Sequence, residues 1–283
     1  MSDSPNKTSK PEATWGNSYR LIASEKWKAK SAAMGKQVTE AIVEYAAPQP
    51  GMKVLDVASG TGEPAITLAM RVGPRGHVTA LDLSAELLEI AKGRAQERDL
   101  KNFAVQQGDA HQLPFAENSF DLATSRFGVM FFGDIQRALG ELRRVLRPNA
   151  RACFVAWGAF DQPYWQSMMG IVHRHVGGPL LAPGGADPFR FGAPGSLAKE
   201  MRAAGFREVE EETKTVPWSW PGTAEEVWEQ ARSVAVPFRP MLDRVPEELW
   251  PQIHQEVQAA VGRYARGGQI EFGASVVLAS GSK

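Results

Sequence analysis

Short apolar runs alternate with helical patterns along the first half of the chain. The runs are rich in Val, Leu, Ile, Phe and Ala, as expected of strands that are covered on both faces. They predict five strands, at 54–57, 77–83, 103–107, 120–125 and 151–157. Apolar residues at helical spacing fill the intervals. This order predicts an α/β fold with a doubly wound parallel sheet and right-handed crossovers.

The second half of the chain has a different composition. Residues 159–195 combine a short helix, ending near His175, with a Gly/Pro-rich stretch that is typical of a lid or binding loop. Further elements are predicted as a helix at 197–204, a strand region at 206–220, helices at 223–231 and 246–264, and a closing strand at 269–280. No internal repeat is present.

These patterns predict one domain after a polar tail. The tail, residues 1–13, is expected to be disordered, and the domain covers 14–283. Its parts are an N-terminal cap helix at 14–47, a cofactor-binding core at 48–158, a substrate loop at 159–195 and a helical insertion at 223–268. The cap segment precedes the first strand and is placed to fold over a ligand.

A glycine turn follows the first predicted strand. Gly60 and Gly62 let the backbone turn sharply and approach a ligand closely. Counted from Gly60, with Ala65 last, the spacing fits the dinucleotide fingerprint. Counted from Asp56, it fits acid-x-G-x-G-x-G with Ala58 at the first glycine. A carboxylate at this strand end would repel a pyrophosphate but suits a cation, which favours S-adenosylmethionine, a sulfonium.

Three successive predicted strands end at acidic residues, Asp56, Asp82 and Asp109. The carboxyl ends of parallel strands meet at one edge of the sheet, where ligands bind. Asp82 follows Gly62 at the distance at which such sites place a carboxylate for the two ribose hydroxyls. Capping of the next helix is the alternative role, but Ser84 can supply that cap. Asp109 would lie near an adenine amino group.

Composition narrows the class of protein and its partners. Lys plus Arg total 32 and Asp plus Glu total 32, so no net basic field points to nucleic acid or an anionic membrane. No apolar run approaches the roughly 18 residues that span a bilayer, and the N-terminus lacks a signal-peptide core. We therefore expect a cytoplasmic protein without stable membrane insertion. The single cysteine, Cys153, argues against a disulfide and a cysteine-rich metal site, and we predict no metal. A homodimer is left open.

Together these motifs resemble the class I S-adenosylmethionine-dependent methyltransferases. Within that class they resemble the ubiquinone and menaquinone biosynthesis C-methyltransferase branch, of methyltransferase type 11-like enzymes. The resemblance covers residues 54–157 and is carried by the segments 54–62, 80–84, 108–110, 113–115, 119–121 and 143–148. It implies a Rossmann-like, seven-stranded sheet with the last strand antiparallel, and S-adenosyl-L-methionine as the cofactor.

The resemblance also assigns residues to the three parts of the cofactor. Those around the methionine and sulfonium are Asp56, Ala58, Gly60, Thr61, Gly62 and Arg126. Those at the ribose are Asp82 and Leu83, and those at the adenine are Asp109 and Ala110.

Two positions depart from the family pattern, where Ala58 and Asn149-Ala150 replace glycines. Alanine tolerates most backbone geometries with φ below zero, so we expect function to survive at Ala58. Asn149 is able to take the left-handed conformation after the preceding helix. The end of strand four, Thr124–Phe127, lacks the D/N-P-P-Y/F motif of enzymes that methylate amide or adenine nitrogens, which argues against nucleic-acid bases and peptide glutamines as acceptors.

Three residues are candidate catalytic residues. His111 follows Asp109 at the pocket edge and is a candidate general base, which is needed only if the acceptor must lose a proton. Tyr19 lies in the cap segment. Arg126 could orient an anionic acceptor or pair with a cofactor carboxylate. The alternatives are a packing role for His111 and a structural ion pair between Arg126 and Asp56 or Asp109.

Aromatic residues suggest a planar or apolar acceptor. The set is Trp15, Tyr19, Phe127, Phe131, Phe132, Trp157, Trp165, Trp218 and Trp220. We therefore predict an S-adenosylmethionine-dependent methyltransferase that acts on a carbon, oxygen or nitrogen of a small acceptor. Two alternatives stay open: a nicotinamide-dependent oxidoreductase, which has no need of Asp56 or Asp109, and a non-catalytic S-adenosylmethionine-binding regulator.

Overall fold

An eight-stranded sheet organises the computed structural model, which describes residues 26–283. Its strands are β1 (Lys53–Val57), β2 (His77–Asp82), β3 (Phe103–Gln107), β4 (Phe120–Arg126), β5 (Leu146–Trp157), β6 (Arg207–Trp220), β7 (Ala265–Arg266) and β8 (Gln269–Ser282). The predicted tail at 1–13, together with Trp15 and Tyr19, lies outside the described residues.

The strand order confirms the predicted doubly wound sheet. The strands follow one another as β3-β2-β1-β4-β5-β8-β6, and the short β7 pairs with β8 outside this order. Neighbouring strands from β3 to β5 are parallel, whereas β8 runs antiparallel to both β5 and β6. The chain leaves β1 toward β2 on one side and returns to β4 on the other. A crevice opens at such a switch point, beyond the carboxyl ends of the strands.

Helices cover the sheet and one end of it. In chain order they are α1 (Lys28–Ala46), α2 (Ala65–Val72), α3 (Ala85–Gln96), α4 (Ile135–Val145), α5 (Pro163–Gln166), α6 (Met169–Val176), α7 (Ser196–Ala203), α8 (Ala224–Val234), α9 (Arg239–Leu242) and α10 (Trp250–Gly262). Three 3₁₀ turns lie at Val129–Phe131, Val236–Phe238 and Glu247–Leu249. No helix within residues 26–283 is long and apolar enough to cross a membrane.

Side-chain caps explain where several helices begin. The Ser84 hydroxyl accepts a hydrogen bond from the Leu87 N–H, as predicted, and so begins α3. Asp134 begins α4 in the same way. Thr223 and Glu226 form a reciprocal capping box at the start of α8. The residue types at these positions therefore suffice to predict where the three helices begin.

Strand β5 differs from the prediction at its beginning. It begins at Leu146 rather than at Arg151, and the pairing of β4 with β5 shifts register between Phe120 and Leu122. Asn149 takes the left-handed conformation, with φ of 63°, as predicted. It does so inside the irregular start of β5 rather than at a helix end, because α4 stops at Val145 and the chain turns directly into the sheet.

The second half of the chain covers the carboxyl edge of the sheet. Helix α10 packs against α8 and α6, so the helical insertion and the substrate loop contact each other. Helix α1 packs against β6, β5 and β4. The largest side chains with no exposure include Trp220, Trp228 and Phe154. The predicted cap, loop and insertion therefore meet around one end of the sheet.

Candidate functional site

A cavity of about 440 Å³ opens at the carboxyl ends of β1 to β4. The sheet side of its wall includes Ala58, Gly60, Thr61, Glu63, Asp82, Leu83, Asp109, Ala110, His111, Arg126 and Phe127. The cover includes Ser31, Met34 and Gly35 of α1, Tyr164 and Trp165 of α5, Pro188, Trp218 of β6, Gln230 and Val234 of α8, and Phe238. The structure thus brings most of the predicted cofactor residues, and parts of the predicted lid segments, to one cavity.

The glycine turn forms the floor of this cavity. Gly60 has φ of 53°, and no atom lies within 4 Å of where its Cβ would be, so the space beside it is open. Gly62 has φ of 110°, and a Cβ there would lie 2.7 Å from the Ile66 Cδ1 atom. Gly62 therefore packs beneath the turn and does not line the cavity. The two glycines serve different purposes: the first leaves room for a ligand, and the second lets α2 approach α3.

Ala58 corrects an expectation from the sequence. Its φ is 57°, so the expectation of a negative φ is wrong. The turn forces this residue into the left-handed region, where a Cβ costs about 1 kcal/mol. The glycine of the family pattern avoids that cost. Ala58 nevertheless lines the cavity at the predicted place.

Asp82 links the glycine turn to the start of α3. One carboxylate oxygen accepts a hydrogen bond from the Gly60 N–H at 2.8 Å, and the other accepts from the Ser84 N–H at 2.9 Å. The cap of α3 is supplied by Ser84, so Asp82 is not that cap. A carboxylate has about four acceptor sites, so two backbone bonds leave capacity for ligand hydroxyls.

Asp109 and His111 form a small network at the rim. The Asp109 Oδ1 atom accepts from the His111 N–H at 2.9 Å and lies 2.6 Å from the His111 Nδ1 atom. Burial opposes ionisation of Asp109, but these bonds outweigh it and lower the pKa of its carboxyl. The His111 Nε2 atom accepts from the Asp134 N–H at 3.2 Å. Both ring nitrogens are thus engaged, which favours a positioning role for His111 over that of a general base.

Asp56 lies beneath the turn rather than in the cavity wall. Its Oδ1 atom accepts from the Thr124 hydroxyl at 2.7 Å, and its Oδ2 atom has no partner among the described residues. Complete burial raises the pKa of this carboxyl to about 7. At neutral pH Asp56 is therefore only partly ionised, which weakens the attraction that its carboxylate would exert on a cationic ligand.

Arg126 ties three parts of the site together. It ends β4, and its guanidinium donates to the Glu63 carbonyl at 3.2 Å and to the Gly35 carbonyl of α1 at 3.4 Å. Among the described residues its hydrogen-bond partners are these carbonyls rather than Asp56 or Asp109. Burial lowers the pKa of the Arg126 guanidinium, although the nearby Glu63 and Asp56 carboxyls oppose that effect. Arg126 lines the cavity and fixes the position of α1 over it.

Aromatic rings form the half of the cavity beyond Arg126. Phe127 and Trp157 stack, with ring centroids 4.5 Å apart and planes 14° apart. Trp218 meets Trp157 edge to face at 5.1 Å. Trp165 stacks on Phe238 at 5.3 Å. Of the predicted aromatic set, Trp220 does not line the cavity; it packs against Trp27.

Gln230 was not predicted from the sequence. It lies in the buried stripe of α8, between Val227 and Ala231. A polar residue within an apolar helical stripe was the available signal. Glu63 and Met34 also line the cavity without having been predicted, and nothing in their spacing indicated it.

Comparison with known proteins defines the class of this core. Residues 48–162 match a family model described as a methyltransferase domain. Over this segment the chain is similar to methyltransferase domains, in agreement with the resemblance that the sequence motifs indicated. The fold agrees: the YcgJ protein from Bacillus subtilis superposes with a TM-score of 0.56 at 21% identity, over 87% of this chain and 97% of that one.

Two curated relatives are similar to less than half of the chain. A demethylmenaquinone methyltransferase from Listeria welshimeri is 37% identical over 128 residues, which are 45% of this chain and 54% of the relative. A 2-phytyl-1,4-naphtoquinone methyltransferase from Nostoc is 42% identical over 117 residues, 41% of this chain and 51% of the relative. The chain thus spans about half the length of these relatives.

Proposed function

We propose that this protein is an S-adenosylmethionine-dependent methyltransferase whose acceptor is a small, planar and largely apolar molecule. One observation carries the proposal. A single cavity runs from the glycine turn and the acidic strand ends, at Gly60, Asp82 and Asp109, to the aromatic wall at Trp157 and Trp165. A cofactor half and an acceptor half are therefore adjacent in one cavity.

The residues of the first half fit the cofactor. The open space beside Gly60 admits a ligand, and Asp82 has acceptor capacity for ribose hydroxyls. Asp109, with its lowered pKa, lies where the adenine amino group is expected. When bound, the cofactor supplies a methyl group on a positively charged sulfur. We assign Ala58, Thr61, Leu83 and Ala110, which line the same cavity, to this binding surface.

The chain's own contribution to methyl transfer is alignment and exclusion of water. Helix α1, the loop with Trp165 and helix α8 close the cavity from above. Stacked rings hold a planar acceptor in a fixed orientation, and alignment can supply much of the rate of such a displacement. Methylation of a phenolic oxygen or of a ring carbon also releases one proton from the acceptor. Because both ring nitrogens of His111 are engaged, we propose that water accepts this proton rather than His111.

The acceptor is proposed from the aromatic wall and from the relatives together. Both curated relatives are named for quinone substrates, and the ring-lined half of this cavity suits a bicyclic aromatic ring of that kind. We propose a hydroquinone-like or phenolic ring, methylated on carbon or oxygen. Action in the cytoplasm, without nucleic acid, and a single domain over 14–283 are part of this proposal.

The test is transfer of a radiolabelled methyl group from S-adenosylmethionine to chosen acceptors. We expect label in 1,4-naphthohydroquinone or 2-naphthol and none in ethanolamine. Gly60→Val is the matched inactive variant, because it places a branched side chain in the open space at a φ that disfavours it. Binding of S-adenosylhomocysteine without transfer to any aromatic acceptor would instead favour a cofactor-binding regulator.

A further inference from the structure

Gln230 is a buried amide in the wall of the aromatic half of the cavity. Its side chain belongs to α8, its residue is 4% exposed, and it lines the cavity. The Oε1 atom has no hydrogen-bond partner among residues 26–283. Buried polar atoms in native proteins nearly always have a partner. A partner supplied by a bound ligand would satisfy this one.

A second unpaired polar atom lies in the same wall. The Trp165 Nε1 atom of α5 is buried and has no partner within the described part of the chain. The ring of Trp165 is held by stacking on Phe238 and by an edge contact with Trp157. An indole N–H is a donor only, whereas a glutamine amide can both donate and accept. The Trp218 Nε1 atom, which also lies in this wall, is likewise buried without a partner among residues 26–283. The ring-lined wall thus carries unpaired indole donors and one unpaired amide oxygen.

Helix α8 holds Gln230 in place without using its amide. The capping box of Thr223 and Glu226 begins the helix. Lys30 of α1 contacts the Glu226 carboxylate at 2.6 Å, and Lys26 contacts Glu229. These contacts hold the helix against α1 and against Lys26, just before α1, through two residues of the turn that precedes Gln230. The Oε1 atom of Gln230 makes no hydrogen bond to another helix or strand among the described residues. A purely structural role therefore does not explain why a buried amide oxygen lies here.

We propose that Gln230, assisted by Trp165, determines specificity by binding a ring oxygen of the aromatic acceptor, a hydroxyl or a carbonyl. This inference rests on the proposed function and deepens it. The Gln230 amide can donate to or accept from a ring oxygen, and the Trp165 N–H can donate to it. An apolar ring without an oxygen substituent would leave both groups unpaired and would bind less tightly.

Equilibrium dialysis against two matched compounds tests the inference, with S-adenosylhomocysteine present at saturation. The compounds are 2-naphthol and 2-methylnaphthalene, which differ in a hydroxyl against a methyl group. We expect the wild type to prefer 2-naphthol by about tenfold, the size of one buried hydrogen bond. Gln230→Met keeps the length of the side chain and removes the amide. Because the variant loses most of one buried hydrogen bond, its preference for 2-naphthol should fall to less than about threefold.

The controls separate this inference from the proposed function. Gln255→Met, at an exposed glutamine of α10, should keep the wild-type preference. Trp165→Phe retains a ring and removes the N–H, and it should reduce the preference independently of how well Gln230→Met folds. Equal binding of the two compounds by the wild type, or a full preference in both cavity variants, overturns the inference while S-adenosylhomocysteine binding leaves the proposed function standing. Absence of S-adenosylhomocysteine binding to the wild type overturns both.

Discussion

The Thr124 hydroxyl donates a 2.7 Å hydrogen bond to the Oδ1 atom of Asp56 directly beneath the glycine turn. The second oxygen of Asp56 has no partner among the described residues, and burial raises the pKa of the carboxyl to about 7. A carboxyl in this position is most stable when it is protonated. Its ionisation therefore opposes folding of the segment that forms the cavity floor.

Replacement of Asp56 by Asn should change how stability depends on pH. The folded pKa of about 7 lies above the ordinary 3.8, so between these values the unfolded chain is ionised while the folded chain is neutral. Stability is then lost as the pH rises through this window and levels off above about 7. We expect Asp56→Asn to gain about 3 kcal/mol relative to the wild type between about pH 5 and pH 8, in urea unfolding without ligand.

Asp161→Asn is the control for that measurement, because Asp161 is exposed. Its difference from the wild type should not change over the same pH range. Parallel stability profiles for Asp56→Asn and the wild type would contradict the assignment of a raised pKa to Asp56.

Ala58→Gly should stabilise the protein. The φ of 57° at Ala58 costs a residue with a Cβ about 1–2 kcal/mol, while glycine adds entropy to the unfolded chain, so the net gain is about 0.5–1 kcal/mol. Ala65→Gly, in the first turn of α2, is the matched control and should destabilise by about 1 kcal/mol. Thermal unfolding of both variants checks the sign. A lower melting temperature for Ala58→Gly would count against the left-handed backbone.

Gly128→Ala should destabilise the site through Ala58. A Cβ at Gly128 would lie 2.4 Å from the Ala58 Cβ and 2.6 Å from the Ser125 hydroxyl. Such overpacking costs about 1–3 kcal/mol. Ala58→Gly removes one of the two clashes, so the penalty of Gly128→Ala should be smaller in that background. A double-mutant cycle on the free energy of unfolding measures this coupling. If the effects of the two substitutions were additive, the side chains at 58 and 128 would not be in contact.

His111→Ala should reduce methyl transfer by less than about tenfold, since both ring nitrogens already bind protein groups. Loss of a general base typically costs 10²–10⁴-fold and removes an ionisation from the pH profile of kcat. We expect the profile of the variant to keep the shape of the wild-type profile. His77→Ala, at an exposed histidine of β2, controls for loss of an imidazole. If the pH profile of kcat for His111→Ala instead lost one of the ionisations seen in the wild type, His111 would be the general base.

Local sequence determined much of the cofactor half of this structure. The apolar run of β1 and the two glycines lie close together in the chain, and the acids at 82 and 109 each mark the end of a predicted strand. The cap residues Ser84, Asp134 and Thr223 act within a single turn. Features of this kind can be predicted from the sequence because they depend on residues that are close to one another in the chain.

The acceptor half could not be predicted to the same depth. Gln230 reaches the cavity only because α8 folds back over the sheet and is held there by α1. The left-handed φ of Ala58 follows from how the turn packs on β4, and the burial of Asp56 follows from its position under that turn. These are consequences of tertiary packing, and spacing along the chain does not encode them directly.

Calorimetric titration with S-adenosylmethionine, S-adenosylhomocysteine and NADH tests the central claim most directly, in the wild type and in Asp82→Asn. The variant replaces one acceptor oxygen by an amide N–H, which cannot accept from the Gly60 or Ser84 backbone. We predict micromolar binding of both adenosyl ligands, weakened at least about tenfold in the variant and unchanged in Asp161→Asn, with no binding of NADH. Tight binding of NADH without binding of either adenosyl ligand would contradict the methyltransferase account.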